Sequence, residues 1–182
     1  MLNHTLTPLP LEPRHLQLLA LRADGHSMAR SAATLRRTPA TLYNHASECN
    51  RRLGVPTVEA AVHVCYLAQL LPRPDLAEFT LDLGWEDLEL WRLLATGATT
   101  AHLSHALDLS VSTITLRTKD LRQRTLCTSR PQLVSRGWSH GVLHDSLVRM
   151  ASGRTVLLPP VPPAGGTPFV WAPQAIPAGS SS

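Results

Sequence analysis

The sequence is poor in aromatic residues, in charge and in lysine. Aromatics make up 4% of its 182 residues and charged side chains 16%, so a core must come from aliphatic side chains and alanine within a 43% hydrophobic content. No apolar run reaches the ~18 residues that a membrane-spanning helix needs. The N-terminus lacks the basic, apolar, then small-residue order of a secretory signal. Cysteine is scarce as well: Cys49, Cys65 and Cys127 form no Cys-x-x-Cys pair and no even set, so neither a disulfide framework nor a cysteine zinc site is expected. The expected setting is the cytoplasm, with no membrane partner. There is no P-loop, no G-x-G-x-x-G and no H-E-x-x-H, and an enzyme is not expected. His102/His105 and His140/His144 lie at helical spacing without carboxylate or cysteine companions, so no metal and no other cofactor is expected.

What charge there is falls in blocks. Seventeen basic residues, all arginine but Lys119, oppose thirteen acidic ones for a net +4. A high-GC genome tends to produce such an arginine bias. Residues 14–52 carry seven arginines against Asp24 and Glu48, a net +5. Residues 73–92 carry two arginines against six acids, a net −4, and residues 117–154 carry eight basic groups against two acids, a net +6. Two basic blocks around an acidic one point to a phosphate-rich partner, although a solvated face is the commoner cause of any single charge run.

An internal repeat organises the chain. Shifted by 72 residues, Leu11–Val62 falls on Leu83–Val134 without an insertion, and eleven of the 52 pairs are identical. Among them are Leu16/Leu88, Leu18/Leu90, Gly25/Gly97, Thr41/Thr113 and Arg52/Arg124; Ser27/Thr99 and Thr38/Ser110 are conservative. Each copy divides in the same way. Leu16, Leu19, Ala20 and Ala23 lie at i, i+3, i+4 and i+7, one stripe of a first helix that Gly25 stops. Ser27 caps a second helix to about Leu35. Thr38-Pro39 is an N-cap followed by a first-turn proline, opening a third helix with the buried stripe Leu42, Ala46, Cys49 and Leu53. Gly54 ends it, and Thr57 caps a fourth helix with Ala61, Val64, Cys65 and Ala68 on its buried side. The second copy repeats these signals at Gly97, Thr99, Ser110, the stripe Ile114, Thr118 and Leu121, and Ser129-Arg130-Pro131. The expected fold is all-α: two tandem four-helix helix-turn-helix units at residues 9–71 and 81–146, a linker at 72–80, and a disordered proline-rich tail at 151–182.

The ordered set Leu11-x-Pro13-Arg14, Leu19, Ala23-x-Gly25-x-Ser27, Ala32, Leu35, Thr38-x-x-Thr41-Leu42, His45, Arg52-Leu53-Gly54-Val55 and Ala61-Val62 resembles the LuxR/GerE-type helix-turn-helix domain. The second copy is similar but worn: Trp85 replaces the proline, Arg117 the histidine, and Thr125-Leu126-Cys127 the Leu-Gly-Val turn. Ser31 and Arg37 stand where the family places aliphatic residues, and Tyr43 where it usually has a basic one. No sensory domain is expected in front of the pair.

The resemblance implies a bacterial transcription regulator whose third helices enter the DNA major groove. The base-facing candidates are then Tyr43, Asn44 and Ser47 in the first copy and Thr115, Leu116 and Lys119 in the second. Asn pairs with adenine N6/N7, Thr and Leu touch a thymine methyl, and Lys suits a guanine edge or a phosphate. The expected phosphate contacts are Arg36, Arg37, Thr38, Thr41, His45, Arg51, Arg52, Ser110, Thr113, Arg117, Arg122 and Arg124, two of them at helix N-termini. The fourth helix often mediates dimers in this family. His63, Tyr66, Leu67, Leu70 and Leu71 form either a homodimer surface or the packing of one copy on the other, a tandem chain being its own pseudo-dimer.

The alternative function is a protein-interaction module, derived from helix-turn-helix units, that binds RNA polymerase or another regulator without reading DNA. The modest net charge, the acidic block and the tail favour it. Residues 159–182 hold seven of the fifteen prolines around the apolar island Pro168-Phe169-Val170-Trp171, either a docking motif for a partner or a segment that folds back onto the second unit.

Overall fold

The computed structural model describes residues 11–78 and 81–144, and the backbone of 148–151 and 154–157. Eight helices lie among the described residues: α1 (Pro13–Ala23), α2 (Met28–Leu35), α3 (Pro39–Leu53), α4 (Val58–Leu67), α5 (Trp85–Ala95), α6 (Thr100–Leu107), α7 (Val111–Arg124) and α8 (Arg130–Ser139). Apart from a short hairpin after them, the fold is all-α. Adding 72 to the first residue of each of α1–α4 gives the first residue of α5–α8. The last residues follow the same shift, except that α7 stops one residue early.

Local chemistry accounts for that repeat. The hydroxyls of Ser27, Thr38, Thr57, Thr99, Ser110 and Ser129 each accept a backbone N–H from the first turn of the helix they open. Each satisfies a donor that a helix start would otherwise leave open. The turns repeat as well. Eight described residues have positive φ, and they form four pairs 72 apart: Gly25/Gly97, Arg36/Asp108, Gly54/Leu126 and Gln69/Gly141.

The α3 stripe Leu42, Ala46, Cys49 and Leu53 is buried, as is Ile114, Thr118 and Leu121 on α7. On α1 the expected stripe is only half right. Leu19 and Ala23 are buried, Leu16 and Ala20 partly so, while Leu18 and His15 are at 0% exposure. This helix has two covered sides: Leu18 joins Ala32, Leu42 and Ala46, whereas Leu19 joins a second cluster with α4 and α8. The larger departure is α4. The stripe Ala61, Val64, Cys65 and Ala68 was expected on the buried side, with His63 and Tyr66 either in a homodimer surface or packed within the chain; the second holds for His63 and Tyr66, and every residue from Ala60 to Tyr66 is buried. The face a lone unit would leave to solvent is covered by α8, and Leu19, Val62 and Cys65 share one apolar cluster with Ala95, Val134, Trp138 and Leu143.

The contact between the halves is reciprocal. Tyr66 Oη donates to Ser135 Oγ at 3.1 Å, and Trp138 Nε1 donates to His63 Nδ1 at 2.9 Å. Tyr66 and Trp138 are equivalent under the 72-residue shift, and so are His63 and Ser135. A contact from i to j is thus repeated from the copy of i to the copy of j, the mark of a two-fold interface. The equivalent residues Tyr66 and Trp138 also touch each other, ring centroids 5.9 Å apart, which puts the pseudo-two-fold axis between them. Further out, Thr128 Oγ1 donates to Gly25 O at 3.1 Å, while Gly97 lies against Pro56 and Thr57, so each α1–α2-type turn abuts the other unit's fourth helix start.

The connecting segment is fastened to this seam. Arg73 donates through Nε to Tyr66 O at 3.1 Å and stacks 4.6 Å above the Trp138 ring, and Ala77 N donates to Ser139 O at 2.8 Å. Beyond α8, residues 148–151 and 154–157 pair as antiparallel strands β1 and β2, Val148 opposite Leu157 and Ala151 opposite Arg154. The irregular stretch expected from Ala151 therefore does not begin there. The proline-rich residues 159–182, with the Pro168–Trp171 island, lie outside the described residues. No helix among those described is long and apolar enough to cross a membrane.

Candidate nucleic-acid interface

Two hydrogen-bonded caps aim α3. Arg36, left-handed at φ 51°, closes α2: its N–H donates to Ala33 O at 3.2 Å and the Arg37 N–H to Ala32 O at 2.9 Å, and Thr38 opens α3 by accepting from Thr41 N at 3.2 Å. Only residues 36–38 separate the two helices. Because Leu42, Ala46, Cys49 and Leu53 face the core, Tyr43, Asn44 and Ser47 face outward; Tyr43 is 59% exposed. None of the three has a side-chain hydrogen-bond partner among the described residues, so their hydroxyl and amide groups are available to a ligand. Arg36 and Arg37 are exposed beside them and carry no ion pair among the described residues.

The equivalent α7 residues are placed alike and differ in chemistry. Thr115, Leu116 and Lys119 are exposed, Leu116 by 67%. Thr115 Oγ1 donates to Val111 O at 2.9 Å, which commits its hydrogen and leaves the oxygen able only to accept. At the start of α7, Ser110 Oγ lies 2.8 Å from Ser112 Oγ and 2.7 Å from Thr113 Oγ1, so the hydroxyls there bond one another. Val111, in the first position of the helix, is 53% exposed. It is absent from the sequence-derived candidates. Its signal would have been an apolar residue directly after the Ser110 cap, before the buried stripe begins.

The arginines fall into two groups. Arg51 grips Glu48 through two hydrogen bonds of 2.9 and 2.7 Å while staying largely exposed. Arg52 sits between Glu48 at 2.5 Å and Glu12 at 3.1 Å. Its copy, Arg124, pairs with Asp87 at 3.0 Å and Asp120 at 3.6 Å and bonds the Asp82 carbonyl. Arg117 pairs with Glu86 and, at 3.9 Å, with Asp87; Arg122 bonds the Thr128 carbonyl. Hydrogen bonds from Arg51 and Arg52 hold the Glu48 carboxyl down at about 2. Arg52, Arg117 and Arg124 are thus occupied by carboxylates of their own unit, where sequence alone had them on phosphates. The Glu48/Arg52 and Asp120/Arg124 spacing of four was a readable sign of this; the partners Glu12, Glu86 and Asp87, far along the chain, were not.

His45 is half-buried and meets His15 edge-on, ring centroids 5.7 Å apart. His15 Nδ1 accepts the Glu12 N–H at 3.2 Å, and its Nε2 is buried without a partner, so burial lowers the His15 pKa. The equivalents of this ring pair are Asp87 and Arg117, an ion pair. The three cysteines are free and buried; burial pushes the thiols of Cys49 and Cys65 up to about 11 and 12. Among the described residues no three histidine, cysteine or carboxylate side chains gather as a metal site. Gly137-Trp138-Ser139-His140-Gly141 carries the letters of a nucleophile elbow. It is the end of α8 rather than a strand-to-helix turn, and Ser139 Oγ donates to Arg136 O at 2.9 Å. Comparison of the chain with protein-family models, curated proteins and solved structures finds no match in any of the three.

Proposed function

We propose that the chain is a DNA-binding regulator of transcription, with α3 and α7 as recognition helices of two LuxR-like helix-turn-helix units. The observation that supports this most is the reciprocal seam, Tyr66 to Ser135 and Trp138 to His63. Duplex DNA has local two-fold symmetry between its strands, and a two-fold pair of helices meets both strands in one way. The reading gives an inverted pair of half-sites about one helical turn, ~34–36 Å, apart, bound by a single chain. The usual homodimer is replaced by α4 against α8, since the surface a partner would use is already covered.

In this reading Tyr43, Asn44 and Ser47 contact base edges from α3, with Thr115, Leu116 and Lys119 doing so from α7. Phosphates go to Arg36, Arg37 and the N-terminal turns at Thr38 and Ser110, because those arginines have no carboxylate partner among the described residues. Arg51 joins them only by releasing Glu48. The test is binding to a duplex taken from upstream of the gene, and to a random duplex, across a salt series. Removing one arginine–phosphate pair reduces the slope of log affinity against log salt by about 0.9. Arg36→Ala/Arg37→Ala is expected to flatten that slope by up to about two such steps, and Arg52→Ala to leave it unchanged while lowering stability. Absence of binding to either duplex at low salt overturns the reading and favours the protein-interaction module.

A further inference from the structure

The two outward faces differ in kind at equivalent positions. Where α3 offers the Tyr43 hydroxyl, the Asn44 amide and the Ser47 hydroxyl, α7 offers Thr115, Leu116 and Lys119. The Thr115 hydroxyl donates its hydrogen back onto Val111 O at 2.9 Å, so this side chain has no donor left and presents its methyl group beside an accepting oxygen. One turn earlier, Val111 is 53% exposed, and Leu116 is 67% exposed. The Ser110, Ser112 and Thr113 hydroxyls are engaged with one another. Lys119 has no ion pair among the described residues, and it supplies charge beside an apolar surface.

Exposed aliphatic side chains on a helix reward only an apolar partner, and the major groove offers one such group, the thymine C5-methyl. We propose that the second unit reads thymine methyls through Val111, Thr115 and Leu116, with Lys119 holding an adjacent phosphate or guanine, while the first unit reads hydrogen-bonding edges. The operator is therefore an inverted repeat with chemically unlike halves. This rests on the DNA-binding reading above. The occupant favoured here is DNA because Lys119 gives the patch the sign of charge that a duplex attracts, and because the pseudo-two-fold presents α7 as it presents α3.

The experiment is a pair of selections by the full chain from random duplex libraries, one made with thymine and one with uracil, which lacks only the methyl. The thymine library is expected to yield a site with a thymine-rich half and a half rich in hydrogen-bonding information. In the uracil library the first half loses its enrichment and the second keeps it. On the selected site, thymine-to-uracil replacement in the α7 half is expected to weaken binding about four-fold per contacted methyl, the worth of one buried methyl group. Val111→Ser/Thr115→Ser/Leu116→Ser, all at exposed positions, is expected to abolish that sensitivity and leave the α3 half unaffected. Equal enrichment in the two libraries, or uracil sensitivity that survives the triple substitution, overturns methyl reading and leaves DNA binding standing. No enrichment in either library overturns the DNA reading itself, and with it the inference.

Discussion

Leu126 occupies a left-handed backbone position, φ 55°, with its side chain 79% exposed, where the first unit has Gly54 at φ 66°. A β-carbon in that conformation costs about 1–2 kcal/mol, and glycine's greater freedom in the unfolded chain returns part of any gain. Leu126→Gly is expected to raise unfolding stability by about 1 kcal/mol, read as a higher urea midpoint at unchanged slope. His15 gives a pH effect of definite sign. Burial is the main cause of its lowered pKa; Glu12 opposes it, and Arg52, Arg14 and His45 add to it. The unfolded chain therefore binds the proton more readily. Stability from a neutral His15 is complete above the ordinary histidine value of about 6.5 and is lost as pH falls through that value toward the lower folded one. The urea midpoint is expected to drop between pH 7 and 5, and less steeply in His15→Asn; identical slopes refute the assignment. None of this was visible in the sequence, where His15 looked like one polar residue in the first helix. Its burial depends on α3 lying across α1.

Two of the left-handed glycines, Gly54 and Gly97, show how far a local signal reaches. Both Gly54 and Gly97 were legible as helix stops, because a glycine after an apolar stripe is cheap where φ is positive. A β-carbon at Gly54 would meet nothing within 4 Å, whereas one at Gly97 would lie 2.6 Å from Thr57 Oγ1 and 2.9 Å from Pro56 Cγ. Gly97→Ala therefore combines backbone strain with overpacking and is expected to cost about 2–4 kcal/mol, against about 1 for Gly54→Ala. Comparison of the two urea midpoints measures the difference, and equal losses would remove the Gly97 contact from the account. The α3 stripe was read correctly because Leu42, Ala46, Cys49 and Leu53 are buried in the core of their own unit. The α4 stripe was read too narrowly because periodicity records which side chains are apolar, not how many neighbours come to cover them.

The seam makes the two units one folding body. Leu19 and Cys65 share a cluster with Val134 and Trp138, so neither half completes its core alone. A single cooperative transition is expected by two probes, fluorescence of the tryptophans and far-ultraviolet circular dichroism, with coincident midpoints. The chain is also expected to sediment with the mass of one copy. Val134→Asp, at 1% exposure, buries a charge without a partner and is expected to cost roughly 3–5 kcal/mol or more. If the substituted halves survive separately, the transitions split, and the uncovered α4 faces give a concentration-dependent dimer. A wild-type dimer at micromolar concentration would instead contradict the covered α4 surface.

Sequence alone determined the eight helices, the Ser and Thr caps of six of them, the glycine stops at Gly25, Gly54 and Gly97, and the 72-residue repeat, since each local signal depends on residues within a few positions of one another. It also marked the outward faces of α3 and α7, because a helix has one period and the buried stripe fixes the opposite side. Tertiary structure decided which arginines remain available, for Arg52, Arg117 and Arg124 meet carboxylates 31–40 residues away in the chain. It decided that the Thr115 hydroxyl gives its hydrogen to Val111 O. It decided above all that the halves face each other across a pseudo-two-fold. A repeat in sequence leaves the relation between its copies open; that relation is set by which apolar surfaces find each other, and here α4 and α8 did.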